Sequence, residues 1–102
     1  MDPKVARCLL IAKVLVADGI MTENERVFLD KAMSGMGLDA AEKRKVFDLE
    51  GWDQAEAALA DLSEDDKREI ISGLVDAASV DGRLSPLEAL TVKAITAALG
   101  LD

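Results

Sequence analysis

The chain has 102 residues, half of them apolar, with three aromatics and no histidine or tyrosine. That length allows one domain with one modest core, built mainly from Leu, Ile, Val, Ala and Met. A formal net charge of −8 argues against binding a nucleic-acid backbone and favours cations, basic protein partners or plain solubility. Strong helix formers throughout predict an all-α fold, a bundle of about six helices.

Asp2-Pro3 reads as an N-cap followed by proline at the first helical position. The first helix is expected to run to about Ala17, with Val5, Cys8, Leu9, Ala12, Leu15 and Val16 as its core stripe. Lys4, Arg7 and Lys13 lie off that stripe. These basic residues run through the helix rather than before it, so the start is not expected to be a secretory signal. Lys13 splits two apolar runs that are too short to cross a membrane. Cys8 is the only cysteine. It can form no intramolecular disulfide, fits a reducing compartment such as the cytoplasm, and with no histidine to activate it is expected to be buried and inert.

An acidic turn, Ala17-Asp18-Gly19, follows. Thr22-x-x-Glu25 is a capping box opening a second helix from about Glu23 to Met36, with Val27, Phe28, Ala32 and Met36 expected inside. Gly37 stands where a helix ends in a left-handed residue. Asp39-x-x-Glu42 opens a third helix through about Leu49, closed by Gly51. Its Lys43-Arg44-Lys45 cluster is expected in solvent, with Val46, Phe47 and Leu49 turned inward. Asp53-x-x-Glu56 then predicts a short fourth helix ending near Leu62. Trp52, in the joint before it, is expected to plug a core otherwise poor in large residues.

Ser63 followed by Glu64, Asp65 and Asp66 starts a fifth helix, negative charge lying where the helix dipole is positive. It is expected to reach about Ser79 and to bury Ile70, Leu74, Val75 and Ala78. A second acidic turn, Asp81-Gly82, leads to Ser85-x-x-Glu88, a capping box with Pro86 at the first helical position. The sixth helix should end near Leu99, with Leu87, Leu90, Ala94, Ile95 and Ala98 on its core side.

The last of these elements repeat the first. Displaced by 63 residues, Asp18 falls on Asp81, Thr22 on Ser85, Glu25 on Glu88, and Met36-Gly37-Leu38-Asp39 on Leu99-Gly100-Leu101-Asp102. The copies span about residues 9–39 and 72–102 of a single domain expected to cover 1–102. Each is a helical hairpin with an acidic turn, joined by two connecting helices.

Asp, Gly, an apolar residue and Glu stand at relative places 1, 2, 4 and 8 of each turn, as in the second half of an EF-hand loop. The first half is missing. Val14 and Val16 in one copy, and Ala77 and Ser79 in the other, occupy the places of its first carboxylates. A complete EF-hand is therefore excluded. Glu25 and Glu88 have a structural role as caps, and Asp18 and Asp81 as turn formers. Were the copies to pack about a pseudo-twofold axis, Asp18, Glu25, Asp81 and Glu88 could approach one another, and a cation would relieve their repulsion.

The duplicated [Leu/Ala]-x-x-D-G-x-[apolar]-[Ser/Thr]-x-x-E pattern, Val14 to Glu25 and Ala77 to Glu88, resembles the TerB-like superfamily of tellurite-resistance proteins, related to the N-terminal domain of membrane-anchored DnaJ-type co-chaperones. The resemblance covers nearly the whole chain. It implies an all-helical, duplicated bacterial domain of stress-response systems, with a divalent-cation site, calcium being the usual ion, at Asp18, Glu25, Asp81 and Glu88. It also implies an interaction module with a protein partner. The first copy departs from the second in having Val16 where Ser79 stands.

The alternative is a plain helical adaptor without metal, its acidic turns serving only as caps. An enzyme is not expected, since nucleophilic and general-base chemistry would fall to carboxylates or lysines with no substrate cleft legible. Partner identity and oligomeric state are not legible in the residues.

Overall fold

The computed structural model describes residues 1–101. Asp102, aligned above with Asp39, lies outside the described residues. Six α-helices form: α1 (Pro3–Leu15), α2 (Glu23–Gly35), α3 (Ala40–Phe47), α4 (Ala55–Ala58), α5 (Glu64–Ala78) and α6 (Pro86–Ala98). A single 3₁₀ turn, Trp52–Gln54, leads into α4. The described residues contain no strand, and no helix long and apolar enough to cross a membrane.

The helix starts are those the local chemistry requires. Asp2, Thr22, Asp39, Ser63 and Ser85 each accept a backbone N–H of their own first turn, and Thr22, Asp39 and Ser85 close full capping boxes. Such caps satisfy amides that have no partner inside the helix.

Helix α1 is the axis of the fold. Ala6, Cys8, Leu9, Leu10, Ala12, Val14 and Leu15 are all fully buried, and every other helix packs against it. The expected stripe is therefore a belt: Leu10, Ile11 and Val14 lie inside as well, because neighbours cover most of α1, leaving Lys4 exposed and Arg7 and Lys13 half-buried. Burial pushes the Cys8 thiol up to about 11, against the lowering effect of Arg7, and its Sγ lies 3.6 Å from Met36 Sδ.

The buried faces of α2 and α6 differ from those expected. In α2 the interior set is Glu25, Leu29 and Met33; in α6 it is Glu88, Val92 and Ile95, followed by Leu99. Val27 and Leu90 are exposed, as are Leu87, Ala94 and Ala98, while Phe28, Ala32 and Met36 are half-buried. The reason is a phase set by the glutamates. Each points inward, and two residues further on a helix has turned by about 200°, which carries Val27 and Leu90 to the outer face. In α5, Ala77 rather than Val75 is buried.

The middle of the chain also departs from expectation. Leu49, at φ 55°, is the left-handed residue that closes α3, with the Glu50 N–H donating to Lys45 O at 2.9 Å; Gly51 instead starts the 3₁₀ turn. Asp53 caps nothing, and α4 ends at Ala58. Glu56 is turned instead to Lys13, which donates to both its carboxylate oxygens at 2.7 and 2.8 Å. Trp52 is 54% exposed and is no plug; the Lys13 ammonium sits 5.0 Å from its ring centroid.

Two outcomes check this packing. Leu29→Ala, at a fully buried site, should cost about 2–5 kcal/mol in urea unfolding, whereas Val27→Ala should stay within about 0.5 kcal/mol. The Cys8 thiol should resist alkylation at pH 8 in the folded protein and react at once in denaturant; rapid reaction of the native protein would contradict its burial.

Candidate functional site

Two hairpins, α1–α2 and α5–α6, carry the acidic turns. Gly19 and Gly82 take φ of 127° and 117°, a region that admits glycine freely, and their N–H groups donate to Val16 O and Ser79 O at 3.0 and 2.9 Å. The turns thus share one backbone form, and they meet. The Thr22 hydroxyl of the first copy donates to Asp81 Oδ2 of the second at 2.6 Å, and the Asn24 amide donates to Asp81 Oδ1 at 2.9 Å. The same Thr22 oxygen accepts the Glu25 N–H at 3.1 Å, so one hydroxyl joins a helix cap to the opposite turn. These two bonds hold the Asp81 carboxyl below its ordinary value, although it is exposed.

The joint is not symmetric. Leu87 occupies the place that Asn24 holds in the first copy, so the mirror contact to Asp18 lacks an amide donor. Asp18 itself is exposed.

Beneath the turns, the two capping glutamates lie inside the protein, Glu25 only 5% and Glu88 only 3% exposed. Each uses one oxygen for its own helix: Glu25 Oε1 accepts the Thr22 N–H at 2.8 Å and Glu88 Oε1 the Ser85 N–H at 2.9 Å. Glu88 Oε2 is buried without a hydrogen-bond donor, and the Glu25 carboxyl is within hydrogen-bonding reach of Glu88. Burial raises the Glu25 pKa; the bonds from Thr22 oppose this, and the charge and hydrogen bond of Glu88 add to it. Ionised carboxylates only accept, so a pair in contact needs a proton or a cation between them.

Of the four predicted ligands, the fold thus brings Glu25 against Glu88 and sets Asp81 on the first copy's Thr22 and Asn24. Asp18 is exposed at its own turn. Among the described residues no three His, Cys, Asp or Glu side chains converge in a way that could hold a metal. The residues that sequence reasoning missed are Thr22 and Asn24 as cross-copy donors. A signal was available for the buried pair: Glu25 is in phase with Leu29 and Met33, and Glu88 with Val92 and Ile95.

The fold and the joint define an all-helical domain of two capped hairpins, closed around one buried helix and joined through a facing pair of buried glutamates. The family model described as tellurite resistance protein TerB matches residues 4–102, and the chain belongs to that family. No curated protein and no solved structure matches it.

Glu25 has a pH signature. A carboxyl whose pKa is raised by folding contributes stability below the ordinary glutamate value and loses it as pH rises through the raised value. Wild type should therefore lose stability above about pH 4.3, relative to Glu25→Gln, which keeps the cap acceptor but cannot ionise. Asp81 acts in the opposite sense, its contribution being lost as pH falls through its lowered value. Melting curves from pH 3 to 9 check this, and a constant difference between wild type and Glu25→Gln would contradict the raised Glu25 pKa.

Proposed function

We propose that this domain is a non-enzymatic, cation-responsive interaction module of the tellurite-resistance type, acting in a bacterial stress response in the cytoplasm. The observation that carries the cation reading is Glu88 Oε2, a buried acceptor without a donor, facing a second buried carboxyl. A divalent ion there would offset the negative charge of both glutamates. Calcium is the first candidate, as a hard cation that prefers carboxylate oxygens and accepts irregular geometry. Glu25 and Glu88 would anchor it, with Asp81 and Asp18 as the further carboxylates of the two turns. Two anchors fall short of the six to eight oxygens calcium takes, so the remaining ligands would come from the turns, backbone carbonyls or solvent.

A second reading, the metal-free adaptor, is favoured by other contacts of the same residues. Both glutamates complete capping boxes, and both Asp81 oxygens accept hydrogen bonds. In that reading a proton alone lies between Glu25 and Glu88.

Calorimetry and melting with calcium, magnesium, manganese and zinc at pH 7 separate the two. A bound ion should raise the stability of wild type by about 2.7 kcal/mol at a hundred times its dissociation constant. The gain should vanish in Glu25→Gln/Glu88→Gln, which retains both caps, and shrink in Asp18→Asn/Asp81→Asn. Affinity should also fall with pH as Glu25 takes up its proton. No heat and no shift in melting with any of the four ions would leave only the adaptor.

A further inference from the structure

The outer face of α6 presents an apolar stripe that the fold leaves uncovered. Leu87 is 51% and Leu90 62% exposed, and they line, with Val16, Ala17, Leu49 and Trp52, a groove of about 500 Å³ between α6, the end of α1 and the joint after α3. Apart from the buried Glu88, Lys93 is the only charged side chain on α6. A helix apolar on both faces is ordinarily covered on both. The Lys13–Glu56 ion pair lies in the groove wall; each charge cancels the other, and Lys13 holds the Trp52 ring from one side.

The surroundings of this groove are acidic. Asp18, Asp48, Glu50 and Asp53 are each exposed and each adjoin a lining residue in the chain, against one lysine, Lys93, beside the lining residue Ala94. Leu87, Leu90 and Ala94 recur at the three- and four-residue spacing with which one helix reads another. We propose that this groove docks an amphipathic helix of a partner protein, apolar on the face it inserts and rich in Lys or Arg along its flanks. A second copy of this chain is disfavoured, because the same acidic rim would face itself in a molecule of net charge −8. An anionic membrane is disfavoured for the same reason. The proposal rests on the interaction-module reading, but not on cation binding.

Trp52 is the only tryptophan and lies in the groove, so its fluorescence reports on the site. The probe is a synthetic peptide of roughly 18 residues, about five helical turns, with Leu at helical i, i+3, i+4, i+7 spacing and Lys elsewhere. The controls are the same composition with the leucines scattered, and the same pattern with Glu for Lys. The patterned Leu/Lys peptide should bind saturably with a blue shift of Trp52, and both controls should bind about tenfold or more weakly. Leu90→Glu should lose about tenfold or more in affinity with its melting temperature kept, since Leu90 supports no core contact.

Equal binding of the scattered peptide, undiminished binding by Leu90→Glu, or no binding at all would overturn the proposal. Sedimentation showing a dimer that Leu90→Glu dissociates would overturn it in favour of a second copy, and a Trp52 blue shift on anionic phosphatidylserine vesicles in favour of a membrane. Calcium calorimetry on Leu90→Glu keeps the readings apart: loss of peptide binding with cation binding intact concerns the groove alone, whereas failure of both in wild type removes the broader functional reading.

Discussion

Everything in this fold depends on covering α1. Its 13 residues include a run of apolar side chains that no single partner helix could bury, so five helices must close around it. In a domain of this size the core is small, and withdrawing most of one central helix from water is an economical arrangement of it. The two hairpins share this constraint. Because α1 belongs to the first hairpin and also packs on α5 and α6 of the second, the acidic turns are brought to one end of the molecule.

That convergence produces the most unusual feature of the structure, a buried glutamate from each copy, the charge of Glu88 adding to the raised pKa of Glu25. Burying an acid is unfavourable unless it is paired or neutralised. The capping bonds offset part of the cost, since each glutamate accepts a backbone N–H of its own helix start. They leave Glu88 Oε2 buried without a hydrogen-bond donor. The same local motif that starts each helix therefore also places, through duplication, a buried carboxyl from each copy at the joint. Thr22 extends this coupling upward, its hydroxyl receiving the cap amide and donating to Asp81.

The groove beside α6 follows from the same phase. With Glu88 pointing inward, Val92 and Ile95 fall inside and Leu87 and Leu90 outside. An apolar outer stripe is thus the consequence of an acidic inner residue. Trp52 lies against Lys13 at the opposite wall, where an ion pair with Glu56 fixes the lysine. Buried Glu88 and the exposed Leu87 and Leu90 lie on different faces of α6, so the joint and the groove share one helix.

Local chemistry made much of this legible in the residues alone. Five of the helix starts follow from Ser, Thr or Asp caps, the glycine turns from positive φ, and the duplication from the 63-residue offset. These are short-range effects, decided within a turn or two of chain. The burial of Cys8 followed from its apolar neighbours. Tertiary packing decided the rest. Whether α1 shows one buried face or all of them depends on how many helices surround it, and periodicity cannot report that. Which face of α2 and α6 turns inward depended on treating a glutamate as interior, against its ordinary preference for water. The partners of Asp81, the pairing of Glu56 with Lys13 and the exposure of Trp52 all arise between segments distant in the chain, where distance in three dimensions, not spacing in sequence, sets the interaction.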